Sequence, residues 1–158
     1  MDLNELIERE RIRDVIHGYC EAIDAKDWQG VLDRFTPDAM ISHGRFSGPF
    51  EEFMGHIKNV LGRMDKTVHI IGGTTISIEG ERAQMSSSYV SFHSISGKYE
   101  NAGPVKTGGI DTDWQVAGRY VDQLLKVGDV WKIYDRKAST DWTRVQPSSP
   151  TEAYKSHN

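Results

Sequence analysis

Asp24, His69 and His93 are the residues of this sequence best suited to moving a proton. Asp24 directly follows Ile23 near the end of an apolar helical stripe, and His69 lies among apolar residues at the start of a predicted strand. Imidazole has an ordinary pKa of about 6.5, so it accepts a proton near neutral pH. A carboxylate on its other nitrogen would fix the tautomer and stabilise the imidazolium. These residue types predict general acid–base chemistry, provided that the fold brings them together.

Each of these residues also has an ordinary structural explanation. A lone aspartate at a helix end is usually solvated, as Asp24 would be. A histidine among apolar residues, such as His69, is often satisfied by a backbone carbonyl. The sequence alone leaves both explanations open beside the catalytic one.

A second group of candidates follows a period of two along one segment. Tyr89 and His93 are four residues apart, so they lie on the same face of a strand, together with the small residues Ser87 and Ser91. Small side chains beside a tyrosine and a histidine suit a ligand cavity, although an exposed polar sheet face fits the pattern as well. By the same period, His69 is predicted to share a face with Ile71, Gly73 and Thr75.

Aromatic side chains near these positions could form an apolar wall for a flat substrate. Ordinary core packing explains each of them better when taken singly. The candidates are Trp28, Phe53, Phe92 and Trp114, with Tyr19 five residues before Asp24.

The elements that would position these residues divide the chain into a helical half and a strand-rich half. Apolar residues at three- and four-residue steps predict a helix over residues 3–23 and a second one from Trp28 to Phe35, which Asp27 caps and Pro37 ends. A short strand over 39–42, a turn-rich connection over 44–49 and a third helix from Pro49 follow. Four strands are then predicted over 67–79, 82–96, 110–127 and 130–144, with tight turns at Gly80 and Gly128. The order predicts an α+β fold, in which the glycine-rich loop 96–109 could be a lid.

Composition narrows the classes of function. The chain has 158 residues, enough for one domain, predicted over 1–145 with a polar tail over 146–158. A net charge of −4 predicts no nucleic-acid partner, and the lack of a long apolar run predicts no membrane span. A single cysteine, Cys20, cannot form an internal disulfide, so a cytoplasmic protein is expected. The six histidines form no HExxH pattern and no glycine-rich dinucleotide loop is present, so neither a metal nor a cofactor is predicted.

Four motifs in order resemble the scytalone dehydratase-like (SnoaL-like) family of the NTF2-like superfamily. Residues 21–28, EAIDAKDW, look like the end of that family's first helix, and residues 69–74, HIIGGT, look like its catalytic-histidine strand. Residues 90–93, VSFH, fall where the family carries a second active-site histidine, and residues 130–133, VWKI, match its final strand. The helix-end Asp followed by a strand His is also similar to hexachlorocyclohexane dehydrochlorinase and bile-acid dehydratases.

The resemblance implies an NTF2-like cone, in which a curved antiparallel sheet packs on N-terminal helices around a pocket. It implies that His69 is a general base, that Asp24 is its partner, and that His93 binds or protonates the leaving group. This chain departs from the family pattern at Ile23 and His43, where the relative has tyrosines, and at Tyr120, where it has a substrate-binding asparagine. His43, Tyr89 and Tyr120 join the expected substrate-binding residues, and a substrate other than scytalone is expected.

The sequence therefore predicts a cofactor-independent lyase that eliminates a small group from an aromatic or phenolic small molecule. Two alternatives remain open at this point. One is another reaction on the same scaffold, such as an isomerase with Asp24 as the base; the other is a non-catalytic binding or small-subunit module. Relatives of this fold assemble as trimers or dimers, and a homo-oligomer is expected here too.

Overall fold

The computed structural model describes residues 2–149 and places helices on one side of a six-stranded sheet. Three helices are present: α1 (Leu3–Asp24), α2 (Trp28–Leu32) and α3 (Phe50–Leu61). The strands are β1 (Phe35–His43), β2 (Phe46–Pro49), β3 (Met64–Glu79), β4 (Arg82–Ile95), β5 (Asn101–Ala102), β6 (Val105–Lys106), β7 (Thr112–Val127) and β8 (Val130–Pro147). The predicted α+β fold is confirmed.

Helix α1 carries the main apolar surface that covers the sheet. The carboxylate of Asp2 caps it by accepting a 2.8 Å hydrogen bond from the backbone N–H of Glu5. Its three- and four-residue apolar pattern buries Ile12, Ile16 and Ile23 almost completely. The helix ends at Asp24, so its last turn delivers that carboxylate to β3, against which α1 packs.

The large sheet has the strand order β2-β1-β8-β7-β4-β3. All neighbouring strands are antiparallel except β1 and β8, which run parallel. The long strands β3, β4, β7 and β8 form a continuous wall, and the helices close its concave side. This is the curved-sheet architecture that the NTF2-like resemblance implied.

The chain between α2 and α3 differs from the sequence prediction. The second helix ends at Leu32, and Phe35 already belongs to β1 rather than to that helix. Phe35 stacks on Phe50 with ring centroids 3.6 Å apart and pairs with Ile133 of β8. These tertiary contacts outweigh the local helical spacing of apolar residues. The predicted turn over 44–49 is in fact a hairpin, in which β2 pairs with β1.

A β-bulge in β3 changes which residues share the face of His69. The pairing of β3 with β4 shifts between Ile71 and Thr74. After the bulge, Thr74 and Ile76 are half-buried whereas Thr75 is exposed. The prediction that Thr75 shares the face of His69 is wrong, because one extra residue reverses the alternation of the strand.

Strand β4 has no such interruption, and every second residue from Ala83 to Ile95 is buried. The prediction that Tyr89 and His93 share a face with Ser87 and Ser91 is confirmed. The loop 96–109 contains the small β5–β6 hairpin. Strand β8 extends through Pro147, into the segment assigned to the tail, and residues 150–158 lie outside the described residues. Within residues 2–149, no helix combines the length and the apolar character needed to cross a bilayer.

Candidate active site

Asp24 and His69 are in direct contact at the junction of α1 and β3. Asp24 Oδ1 lies 2.7 Å from His69 Nδ1, and Asp24 Oδ2 accepts a 2.8 Å hydrogen bond from the backbone N–H of His69. The two side chains are 23% and 9% exposed, respectively. One carboxylate thus holds both the backbone and the ring of the histidine.

This contact fixes the protonation pattern of the ring. A carboxylate only accepts hydrogen bonds, so His69 Nδ1 carries the proton that it donates to Asp24. In the neutral ring, Nε2 then has a free lone pair, and among the described residues it has no hydrogen-bond partner. His69 lines a cavity, so this lone pair is available to a bound molecule.

His93 lies beside His69, with the two ring centroids 5.6 Å apart. Its Nδ1 is 2.8 Å from Thr67 Oγ1 and its Nε2 is 3.0 Å from Ser91 Oγ. Burial, and then the nearby His69, lower the pKa of His93 to about 3. His93 is therefore neutral at neutral pH, so it can donate one hydrogen bond but does not carry a second proton.

The cavity in front of the two histidines has a volume of about 620 Å³. This size suits a small organic ligand. The predicted site residues that line it are Tyr19, His43, Phe53, His69, Tyr89, His93, Trp114 and Tyr120. Asp24 lies behind His69. Gly103 and Pro104, from the turn between β5 and β6, also line the cavity, so the 96–109 loop forms part of its wall.

Two of the predicted wall residues lie elsewhere. Phe92 is on the opposite face of β4 and is 42% exposed, because the residues on either side of it point inward. Trp28 packs on the hydrophobic core at the start of α2 and does not line the cavity. Both predictions are wrong. For Trp28, the turn at residues 25–27 carries the chain away from the cavity before α2 begins.

A tyrosine layer forms another part of the wall. The rings of Tyr89 and Tyr120 stack with centroids 4.3 Å apart, and Tyr19 meets Tyr120 edge-on. Burial raises the pKa of Tyr19 to about 12 and that of Tyr120 well above its ordinary value. Both phenols therefore keep their protons at neutral pH. Tyr89 already donates its hydroxyl hydrogen to the carbonyl oxygen of Ser139 at 3.2 Å.

Sequence reasoning missed an ion pair beside this tyrosine layer. The Arg136 guanidinium donates to the Asp122 carboxylate at 2.7 and 2.9 Å, and both side chains are fully buried. The guanidinium carbon lies 4.2 Å from the ring centroid of Tyr19 and 4.4 Å from that of Tyr120. Charged residues on strands normally face water, so nothing in the local sequence marked this pair.

Two titratable lining residues were also missed, namely Arg45 and His56. Arg45 follows the turn glycine Gly44, and His56 is an exposed residue of α3 that borders the cavity. The helical period shared by Phe53 and His56 was the available signal, because residues three apart on a helix are neighbours. Among residues 2–149, no three His, Cys, Asp or Glu side chains cluster as metal ligands.

Comparisons with known proteins agree with this architecture. An uncharacterized protein of Mycobacterium tuberculosis is 24% identical over 140 residues, covering 86% of this chain and 87% of the relative. The structure of a candidate scytalone dehydratase from Novosphingobium aromaticivorans superposes with a TM-score of 0.73 and 19% identity, covering 94% of this chain and 95% of that one. Hexachlorocyclohexane dehydrochlorinase LinA-type3 from Novosphingobium barchaimii gives a TM-score of 0.73 with 14% identity, covering 95% and 96%.

At these identities, the structural matches establish the fold alone. The family is established by a separate match, in which the model of the SnoaL-like domain aligns with residues 4–137. This match includes Asp24, His69 and His93. Since it spans most of the chain, the protein belongs to the SnoaL-like domain family, with the NTF2-like fold that its motifs implied.

Proposed function

We propose that this protein is a lyase that needs no cofactor and eliminates a small group from an aromatic or phenolic substrate. The observation that carries the proposal is the contact of Asp24 with His69 at the edge of an aromatic cavity. Two structural neighbours bear the names of elimination enzymes, a dehydratase and a dehydrochlorinase, and we extend that class of reaction to this chain.

In the proposed reaction, His69 Nε2 removes a proton from an activated carbon or a phenol of the substrate. As the ring becomes an imidazolium, the Asp24 carboxylate stabilises its charge, which burial would otherwise oppose. General-base help of this kind contributes roughly 10² to 10⁴-fold in rate. Because this is too little for an unactivated C–H bond, the substrate must supply its own activation, as an enolisable or phenolic group does.

The electron pair left by the proton forms the new double bond and expels the leaving group. Departing hydroxide needs a proton, and the phenols of Tyr120 and Tyr19 remain protonated at neutral pH. His93 is neutral, and its two ring nitrogens already pair with Thr67 and Ser91, so it supplies no second proton and shapes the wall beside His69. We therefore assign the proton for the leaving group to Tyr19 or Tyr120, because both phenols line the same cavity as His69.

The alternatives are less well supported by the geometry. A carboxylate-base isomerase needs a free carboxylate oxygen facing the substrate, but both oxygens of Asp24 are engaged by His69. A non-catalytic module would have no reason to hold a histidine tautomer against a cavity. We therefore argue for the elimination chemistry.

The direct test is to replace His69 by Gln and measure turnover of a panel of phenolic and hydroxylated aromatic compounds without added cofactor. Loss of the base should lower kcat by about 10² to 10⁴-fold while the fold is retained. The matched control is His17→Gln, because His17 is exposed on α1. Unchanged kcat in His69→Gln, for a substrate that the wild type converts, would remove His69 from the reaction.

A further inference from the structure

The charged side chains that line the cavity have only one sign. Its lining contains Arg45 and four histidines, and within the described part of the chain it contains no Asp, Glu or Lys side chain. Asp24, the nearest carboxylate to the reacting centre, is turned toward His69. A cavity with donors and a cation but no carboxylate on its surface is suited to a ligand with an anionic end.

Arg45 is held at the rim by a short hairpin. Residues 44 and 45 are the two-residue turn between β1 and β2, with His43 paired to Phe46 on either side. Gly44 has φ +59°, a conformation that favours glycine, and it lets the chain reverse in two residues. A tight turn of this kind fixes the backbone of Arg45 at the rim.

The guanidinium of Arg45 is available for a ligand. Within residues 2–149, it makes no ion pair or hydrogen bond with another side chain, and the residue is exposed to solvent. By contrast, the three arginines of helix α1 are each held by a carboxylate one turn away, as Arg9 is by Glu5. An arginine at a cavity rim without such a partner keeps all five N–H donors for a bound anion.

A second hydrogen-bond donor, the imidazole of His56, lies on the adjoining wall. The Phe53 ring lies between two imidazoles, with centroid distances of 5.4 Å to His43 and 6.2 Å to His56. Both imidazoles line the cavity with Phe53 and Phe46. The wall next to Arg45 is thus an aromatic surface edged by N–H groups, which suits a flat ring that carries a carboxylate.

We infer that the substrate is an aromatic carboxylate, whose carboxylate binds Arg45 at the rim while its ring extends along Phe53 toward His69. A planar guanidinium matches a carboxylate with two parallel hydrogen bonds, and the aromatic wall selects an organic acid over an inorganic anion. His56 is the second donor to that group. This inference rests on the proposed function, because it names the substrate class of the same cavity.

Binding measurements can test the inference separately from catalysis. Titration calorimetry on the His69→Gln variant, in which turnover should be about 10² to 10⁴-fold slower, would compare a hydroxynaphthoate with the corresponding naphthol. We expect the carboxylate to bind about tenfold more tightly, which is the range of a hydrogen bond to a charged group. The preference should shrink at high salt, because Arg45 is exposed and its charge is screened.

The matched variants are Arg45→Gln and Arg119→Gln in the same background. Arg119 is an exposed arginine of β7 that does not line the cavity, so its loss should leave the preference unchanged. Arg45→Gln should bind the naphthol as before and lose the tenfold preference for the carboxylate. Equal binding of both ligands to the parent, or a preference that survives Arg45→Gln, would overturn the inference. Neither result would bear on His69 as the base.

Discussion

At the scale of single residues, the site depends on the two oxygens of one carboxylate. Asp24 Oδ2 holds the backbone N–H of His69 while Oδ1 holds the ring, so position and tautomer have the same source. A side chain with a single acceptor atom could hold either the backbone N–H or the ring of His69, but not both. The sequence singled out both residues by their types and by motifs that resemble the SnoaL-like family, while the pattern alone left ordinary structural explanations open. The sequence did not indicate that one carboxylate would contact both the backbone and the ring of the histidine.

Asp24→Asn should therefore keep the position of the His69 backbone while changing the tautomer of its ring. The amide oxygen can still accept from the backbone N–H of His69, whereas the NH₂ group can donate to Nδ1 and drive the ring proton to Nε2. The base would then be blocked, and kcat should fall by about 10² to 10⁴-fold with little loss of stability. Steady-state kinetics together with urea unfolding would measure the two effects.

Asp38→Asn is the matched control, because Asp38 is an exposed aspartate of β1 away from the cavity. It should retain wild-type kcat. If Asp24→Asn kept full activity as well, the tautomer held by Asp24 would be irrelevant to catalysis, and the proposed role of the pair would have to be abandoned.

At the scale of elements, the sequence predicted correctly which face of a strand a side chain occupies only where the strand has no β-bulge. Strand β4 is uninterrupted, so simple alternation placed Tyr89 and His93 on the cavity face.

Strand β8 is different, because its pairing with β7 shifts between Gln123 and Leu124. Extending the register of the hairpin turn would place Asp122 opposite Asp135, but the bulge places it opposite Arg136 and turns that side chain inward. No local pattern indicates where a strand gains one residue.

A second shift of the β7–β8 pairing lies between Ala117 and Gly118, where a side chain has no room. A methyl group on Gly118 would overlap the carbonyl oxygen of Ser139 and press on the Tyr89 ring. Gly118→Ala should therefore lower the free energy of unfolding by about 2 kcal/mol, as overpacking does, and disturb the tyrosine wall. Urea unfolding would measure the change.

Gly73→Ala provides the comparison at a strand glycine with open space. A methyl group there meets no atom within 4 Å, so the substitution should be neutral or slightly stabilising. A similar loss in both variants would show that the effect at Gly118 comes from backbone flexibility rather than from the contact with Ser139.

At the scale of the whole molecule, Arg136 joins the layers of the cone beneath the cavity. Its guanidinium, on β8, contacts the rings of Tyr19 on α1 and Tyr120 on β7, and lies 5.2 Å from the ring centroid of Phe35 on β1. Burial opposes its charge, but the adjacent Asp122 carboxylate raises the pKa of Arg136 above its usual value. The pair is therefore charged in the core, and each partner depends on the other.

Arg136→Met leaves the Asp122 carboxylate buried without a partner, and should lower the free energy of unfolding by about 3 to 5 kcal/mol. The double variant Asp122→Leu with Arg136→Met removes both charges, so it should recover much of that loss, because no uncompensated charge remains. Lys137→Met, at the exposed neighbouring position, controls for the loss of a cation on β8. Urea unfolding of the wild type, of the single variants Asp122→Leu and Arg136→Met, and of the double variant completes the cycle. A double variant no more stable than Arg136→Met would mean that the cone depends on the contacts of the guanidinium with the aromatic rings, and not on charge pairing.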